Sequence, residues 1–584
     1  MSLSTIHDPW YDTLAQAHAM TCWLNCYLRE VALGRGMADL DYRGLDRPGS
    51  GSTDERWLRL QLPSGAALCL RLAHADGLGR CRFASAPYLK ADGRPWHCLD
   101  AAALVRVLLQ ELSEGQAPNL ALLAQSDNSI AITTQLLRNA EIAAPSGDAL
   151  IDAEQSMLWG HAFHPTPKSR EGVPLAQVLA CSPEARSQFP LFWFRIDPRL
   201  YRAQGVDVRA TLAQASGSVD LYPCHPWEAE RVLAHPLLRQ AQARGWIEPL
   251  GERGLRLRPT SSVRTLYHAE LDYFLKLSVH VRLTNCVRKN AWYELESAVA
   301  LTHLLAPTWR ALAQRVPGFQ VLLEPAATDL DFSALDTDAQ ACRELGESFG
   351  VLYRQAIAAT QRQRLHPQVA GALFTCNTRG QPACAASLRA LAQRHGDSLD
   401  AATSAWFHSY ARLLLDGVWS AWFTYGIVLE PHLQNTVIGS VDGLPTQLWI
   451  RDLEGTKLLP SRWPAERLHG LSEAARQSLY YNAERGWNRI AYCALVNNLA
   501  EAIFHLADGH ERRERRLWRI VGDIAQRWQQ RHGTQPALQA LLDGAPLPAK
   551  NNLRTRLLQR ADRHADYSAL PNPIGTPTRR QVAA

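Results

Sequence analysis

Apolar residues recur every three to four positions over residues 12–33 and 99–142, which predicts helices. Between them, RWLRLQLPSGAALCLRLAH (56–74) alternates apolar and polar positions around a Pro-Ser-Gly turn and predicts a hairpin. Residues 1–150 therefore read as an α+β region. Residues 151–330 hold shorter alternating runs broken by Pro and Gly, and read as β-rich. Helical spacing returns over 331–565, at 338–361, 384–395, 400–425, 486–508 and 511–531. Within it, GIVLEPHLQNTVIG (426–439) and LWIRDLEG (448–455) read as strands. The tail, 566–584, is expected to be disordered. The class is α+β, with a β-rich middle and a largely helical C-terminal region.

The alternation is most informative in PTSSVRTLYHAELDYFLKLSVHVRLTN (259–285), which predicts strands joined by a turn near His268–Leu271. In KLSVHVRLTN, Lys276, Ser278, His280, Arg282 and Thr284 share one face, which carries cations and no acid. If Tyr267 faces Tyr273, Arg264 lies opposite Lys276. Like charges directly opposed across two strands are destabilising unless an anion bridges them. Ser261, Ser262 and Thr265 would add hydroxyl donors. The pattern fits a triphosphate site built on strands. A solvated sheet face with chance charges is the plainer alternative.

Length and composition narrow the classes. At 584 residues two or three domains are expected, and 46% hydrophobic with 20% charged residues is a globular composition. A formal charge of +6, without a basic run interleaved with aromatics, does not point to nucleic acid. No stretch approaches 18 uninterrupted apolar residues, so no membrane span is expected. The N-terminus lacks a basic segment followed by an apolar one, and a cytoplasmic location is expected. Twelve cysteines lack paired spacing and are expected to be reduced. Zinc, P-loop and dinucleotide motifs are absent. Of 62 basic residues only Lys90, Lys168, Lys276, Lys289, Lys457 and Lys550 are lysine, so the lysines are candidates for positions that need a compact ammonium, against chance survival, which is the better reading for Lys90.

Six further features stand out. Arg282, Thr284, Asn285, Arg288 and Lys289 form a second cluster of cations and donors, suited to carboxylate or phosphate. Glu430, His432 and Gln434 would share a strand face, followed by Asn435, Asp452 and Glu454. Oxygen ligands of this kind, Glu430, Asn435 and Asp452, suit Mg²⁺ shared with phosphates. GHAFHPTPKSREG (160–172) places His161, His164, Lys168, Ser169 and Arg170 in a Pro-broken loop that reads as an anion site. HPWE (225–228) reads as structural. Asn497 and Asn498 lie in a helical run, and Lys550 precedes a helix start.

In this order, GHxxHPxxKSRxG, HPWE, TSSVRTLY, KLSVHVRLTN with its following arginine, ExHxQN, RDLEG and a lysine before RTRL resemble the IucA/IucC family of NRPS-independent siderophore (NIS) synthetases. The resemblance runs from about 150 to 560, with Ala162 where proline is common. It implies an open hand of thumb, fingers and palm around a deep cleft, and a homodimer. It implies an EC 6.3-like ligase that uses ATP and Mg²⁺ to adenylate a polycarboxylate, usually citrate, and passes the acyl group to an amine or alcohol. It also implies roles. Ser262, Arg264, Thr265, Lys276, His432 and Asp452 would bind ATP and its metal, joined by Ser261 and Gln434. Arg288 and His432 would reach both the α-phosphate and the acid, and Lys550, His161, His164, Lys168, Arg282 and Thr284 would face the acid. Lys276, Arg288 and His432 are the catalytic candidates. The alternatives are an acyl-phosphate ligase and a kinase-like nucleotide-binding regulatory module.

Overall fold

The computed structural model of the chain describes residues 9–575 apart from 50–54, 92, 114–116, 284–285, 337 and 562–563, and apart from the side chains of 282–287. Thr284 and the side chain of Arg282 therefore lie outside the described residues.

The N-terminal helix Pro9–Tyr27 continues through a wider turn at Leu28–Ala32. Trp23 and Leu24 on it bury against Leu58, Leu60 and Leu68 of a twisted sheet. The expected hairpin forms with Trp57 opposite Arg71 and Gln61 opposite Ala67. The 99–142 stretch forms two helices, Ala101–Leu112 and Leu120–Ala140, each begun by a side-chain cap. Asp100 accepts from the Ala103 N–H and Asn119 from the Leu122 N–H, satisfying donors that a helix start leaves unpaired.

The centre is an antiparallel eight-stranded sheet. Its order is Tyr201–Gly205, Ala326–Leu330, Val351–Gln355, Tyr273–Leu277, Thr265–Tyr267, Ile247–Pro259, Phe189–Ile196 and Leu221–Cys224. Three expectations are corrected here. Residues 351–355 are a strand inside the expected helix 338–361. VLYR is buried throughout, so it carries no alternation to distinguish it from a helix. Glycine at 350 lets the chain enter the sheet, since a Cβ there would lie 2.7 Å from the Asn290 carbonyl oxygen.

The register is also one residue away from the expected one. Thr265, not Arg264, faces Lys276. Leu271 is buried in the connection, with its N–H bonded to the His268 carbonyl, and Tyr267 packs on Phe274 at 5.2 Å rather than pairing with Tyr273. Finally, 276–285 is not one strand. It breaks at buried Ser278, and Val279–Leu283 pairs with Cys286–Arg288 in a separate ribbon.

The C-terminal region packs helices Leu399–Trp419 and Glu511–His532 around the apolar rod 483–507, with Trp419 edge-on to Trp528 at 6.2 Å. The 483–507 rod is long and apolar enough to cross a membrane, but it is almost wholly buried inside the protein, as a core helix is. Residues 426–439 do not form one strand. Ile427–Val428 and Thr436–Val441 are separated by a turn holding Glu430, Pro431, His432 and Gln434, where proline lacks the N–H a ladder needs. The expected disordered tail is corrected in part, because Tyr567–Leu570 pairs with Leu547–Lys550. Residues 576–584 lie outside the described residues.

Candidate functional site

The sheet, the loop 157–172, the turn at 430–435 and the helical core enclose a cleft of about 580 Å³. Among its described lining residues eleven are Arg or Lys and five are Asp or Glu, so the cleft favours an anionic occupant.

At its floor the strand Tyr273–Leu277 sets Lys276 beside Thr265 on one side and Leu352 on the other. Lys276 Nζ donates to Asp452 Oδ1 at 2.6 Å and Glu454 Oε2 at 2.7 Å. Arg354, two residues from Leu352 on the same strand face, donates to Asp452 at 3.3 Å and to Glu324 at 2.7 Å. Arg264 lies 3.6 Å from Glu454. The acid missing from the strand's own face is thus supplied by residues 452 and 454. Burial alone would disfavour every charge here. Asp452 and Glu454 nonetheless hold the Lys276 ammonium above its usual value, and Lys276 and Arg354 hold Asp452 far below the carboxylate range.

The turn Thr260–Thr265 stands over this array. Ser262 Oγ donates to Thr265 Oγ1 at 2.7 Å, and the Thr260 N–H bonds to the Thr265 carbonyl. Val263 takes φ +68° and Asp452 φ +82°, the left-handed region that a β-branched residue strongly resists. Two such positions flanking one array fit a functional site, where surrounding structure holds strained backbone in place. The Ser261 hydroxyl donates to Glu154 at 2.6 Å and not into the cleft, while Gln434 Nε2 donates to Ser261 Oγ.

The middle of the cleft holds His161, His164, Lys168, Arg288, His432 and Lys550. His161 Nε2 contacts the Asn497 amide at 2.6 Å. Burial, with His164, Arg29, His432 and Lys550 nearby, lowers its pKa to about 3, so the ring is neutral. Burial lowers His432 as well, and its Nδ1 accepts from the Asn435 N–H. Lys168 departs from its expected role. It donates to the Met157 carbonyl at 2.6 Å and pairs with buried Glu184, which also lies 3.6 Å from Arg170. The expected metal trio does not meet as a preformed site. Glu430 pairs with Arg489 at 3.2 Å, Asn435 Nδ2 donates to the Glu430 carbonyl, and the described residues hold no cluster of three His, Cys, Asp or Glu side chains. Asp452 and Glu454 remain as adjacent hard oxygen donors, each over a quarter exposed to the cleft, and this donor set fits Mg²⁺ rather than zinc.

Five further residues complete the array. Glu154 accepts from Ser261 and pairs with Arg451, whose guanidinium also donates to the Gln434 carbonyl. Glu324 anchors Arg354 and accepts the Leu453 N–H. Buried Asn290 accepts from Arg264 and donates to the Lys276 and Gly350 carbonyls, both at 2.9 Å. Among these, only the arginines carry a residue-type signal in the sequence. HPWE is structural as read: His225 caps the helix Pro226–Leu233, and buried Glu228 accepts the His280 N–H at 2.6 Å.

Comparison with known proteins gives a consistent picture. Residues 149–375 match the model of the IucA / IucC family, and residues 404–565 match one described as ferric iron reductase FhuF-like transporter. The L-2,3-diaminopropanoate–citrate ligase of Staphylococcus aureus is 26% identical over 78% of this chain and 79% of that protein. The N(2)-citryl-N(6)-acetyl-N(6)-hydroxylysine synthase of Vibrio mimicus is 31% identical over 60% of this chain and 61% of that protein. The structure of ATP-bound aerobactin synthetase IucA from Klebsiella pneumoniae superposes with a TM-score of 0.81 at 25% identity, covering 96% of this chain and 99% of that one.

Proposed function

The chain belongs to the IucA/IucC family through residues 149–375, and from that premise we propose that it is an ATP-dependent siderophore-biosynthesis ligase that adenylates citrate and condenses it with an amine. The observation that carries this reading is the Lys276 array, where three buried cations meet two cleft-facing carboxylates under a hydroxyl-bearing turn. Of the two relatives above, one is named for citrate and the other for a citryl product, and the amines in their names differ.

A carboxylate is already ionised near neutral pH, so adenylation needs no base. It needs two mutually repelling anions held together and negative charge stabilised at the α-phosphorus. In this reading Ser262, Thr265, Arg264 and Lys276 seat the phosphates. Asp452 and Glu454 would hold Mg²⁺, which when bound neutralises phosphate charge. Arg288 and His432 sit where α-phosphate and acid meet, and Lys550, with His161 and His164, faces the acid's remaining carboxylates. One citrate oxygen bonds to the α-phosphorus as pyrophosphate leaves. The amine nitrogen then bonds to the acyl carbon, the acyl–oxygen bond to AMP breaks, and the amine proton passes to solvent. The N-terminal region, the central sheet and the helical core would correspond to thumb, fingers and palm.

Hydroxylamine trapping tests the first half-reaction. Citrate-dependent hydroxamate with matching pyrophosphate release is expected, and full activity in EDTA without added Mg²⁺ would count against the metal assignment.

A further inference from the structure

The cleft contains a second charged group whose pairs are internal to it. Its walls are the helix Pro9–Tyr27, the strand Cys81–Phe83, the loop at Cys376 and the helix Ala500–Ala507. Arg80 Nε lies 3.3 Å from Glu501 Oε2, and Arg82 Nη1 lies 3.2 Å from Asp508 Oδ1. Both guanidinium groups stand over the Phe504 ring, at 4.9 and 5.6 Å. Cys376 Sγ is 3.7 Å from His505 Nδ1, and His505 Nε2 is 3.9 Å from Glu501. Burial keeps His505 and His18 neutral, so neither adds positive charge.

Arg80, Arg82 and Glu501 line the cleft, while Asp508 pairs with Arg82 from outside the lining, so both cations beside the aromatic wall already have an acid partner, in contrast to the cation surplus of the cleft as a whole. A polycarboxylate gains little from a surface of balanced charge. A polyamine would leave both guanidinium groups without use. A molecule with an ammonium, a carboxylate and a short apolar stem matches both signs and the ring.

Position favours the same assignment. The nucleophile must reach the acyl carbon from a side that AMP does not occupy. The loop that carries His161 reaches the N-terminal wall, where the Trp159 carbonyl lies 2.8 Å from His18 Nε2 and the Trp159 indole donates to the Cys376 carbonyl at 2.7 Å, while His161 and Lys550 line the same cleft as the phosphate-seating turn. Arg80, Arg82 and His18 also lie outside both family-matched segments, whereas Lys276, Arg264 and Asp452 lie within them. The parts shared with the family thus carry the common step, and part of the remaining wall comes from elsewhere in the chain.

We infer that the Arg80–Arg82–Glu501 lobe is the acceptor subsite and that it selects an amine bearing its own carboxylate, an amino acid rather than a simple diamine. The inference rests on the adenylation reading above. Its test uses the full-length protein with ATP, Mg²⁺ and citrate, and compares two pairs that differ by one carboxylate: L-lysine against cadaverine and L-ornithine against putrescine. Amide formation is followed by mass. The amino acids are expected to exceed their decarboxylated partners by roughly tenfold or more in kcat/KM, the scale of one charged hydrogen bond. Arg80→Lys and the more exposed Arg82→Ala should each raise KM for the amine well above any rise in KM for citrate. Equal or better use of the diamines overturns the inference, as does a variant whose KM rises chiefly for citrate. A parent enzyme that gives no citrate-dependent hydroxamate fails at the earlier step and overturns the adenylation reading, and this inference with it.

Discussion

Lys168 and Lys276 sit in the same cleft, each buried and each paired with acid, yet the two pairs differ in what closes them. Glu184 beside Lys168 is only 2% exposed, and the ammonium is also tied to a backbone carbonyl. Asp452 and Glu454 beside Lys276 are 30% and 27% exposed on the cleft side. A sealed ion pair has nowhere to go, because separating it leaves an uncompensated charge in a low dielectric. An ion pair open on its acid side can exchange partners when phosphate arrives. Both lysines read alike in the sequence, each near serine and arginine, but only the second has a geometry suited to handling a ligand.

The comparison breaks first at Lys168. Lys168→Met should destabilise the protein by about 3 kcal/mol, the low end of the cost of breaking a buried ion pair because Arg170 stays 3.6 Å from Glu184, with a large drop in thermal midpoint and no specific change in ATP affinity for whatever stays folded. Lys276→Ala should do the reverse. Adenylation should be lost and ATP affinity should fall roughly ten- to a hundredfold, for about 1.5–3 kcal/mol, while the midpoint moves little because water reaches both acids. Calorimetric titration with ATP beside thermal melts separates the two, and identical phenotypes would erase the distinction. Lys550→Ala, at the middle of the cleft, should raise KM for citrate roughly tenfold, near 1.5 kcal/mol, and leave KM for ATP in place. A rise for ATP alone would reassign it.

The smallest expected effect lies outside the cleft and calibrates the electrostatics. Glu30 accepts the Leu553 and Arg554 N–H groups, and burial raises its pKa to about 7 against those bonds. A carboxyl raised in the folded state binds a proton that the unfolded chain gives up near 4.5. Its contribution is therefore full below that pH and is lost as pH climbs through 7. The gap in thermal midpoint between parent and Glu30→Gln should narrow in the variant's favour from pH 5 to 8. A gap that widens in the parent's favour would reverse the sign assigned to this group.

Much of the site was legible because its residue types were unusual where they stood. Lys276 and Arg264 on an alternating run, the hydroxyls of 260–265, and Asp452 after an apolar strand all announced polar chemistry, and all line one cleft. What was hidden was pairing. Asp452 answers Lys276 across 176 residues of chain, so no local pattern displays the acid. Asn290, Glu154 and Glu324 look ordinary in sequence and acquire their roles only from the sheet that brings them together. The register failed by one residue because a connection can bury a leucine such as Leu271 without altering the alternation on either side. Long amphipathic helices such as 511–532 are legible almost to the residue, whereas 351–355, buried on both faces through Arg354, offers no period to read.

The central claim is that citrate is activated as an acyl-adenylate, and the atom that records this is a carboxylate oxygen. With carboxyl-¹⁸O citrate, ATP and an amine acceptor, one labelled oxygen is predicted to appear in AMP, with unlabelled pyrophosphate. Label in inorganic phosphate, with ADP as the other product, would contradict the account and establish an acyl-phosphate ligase instead.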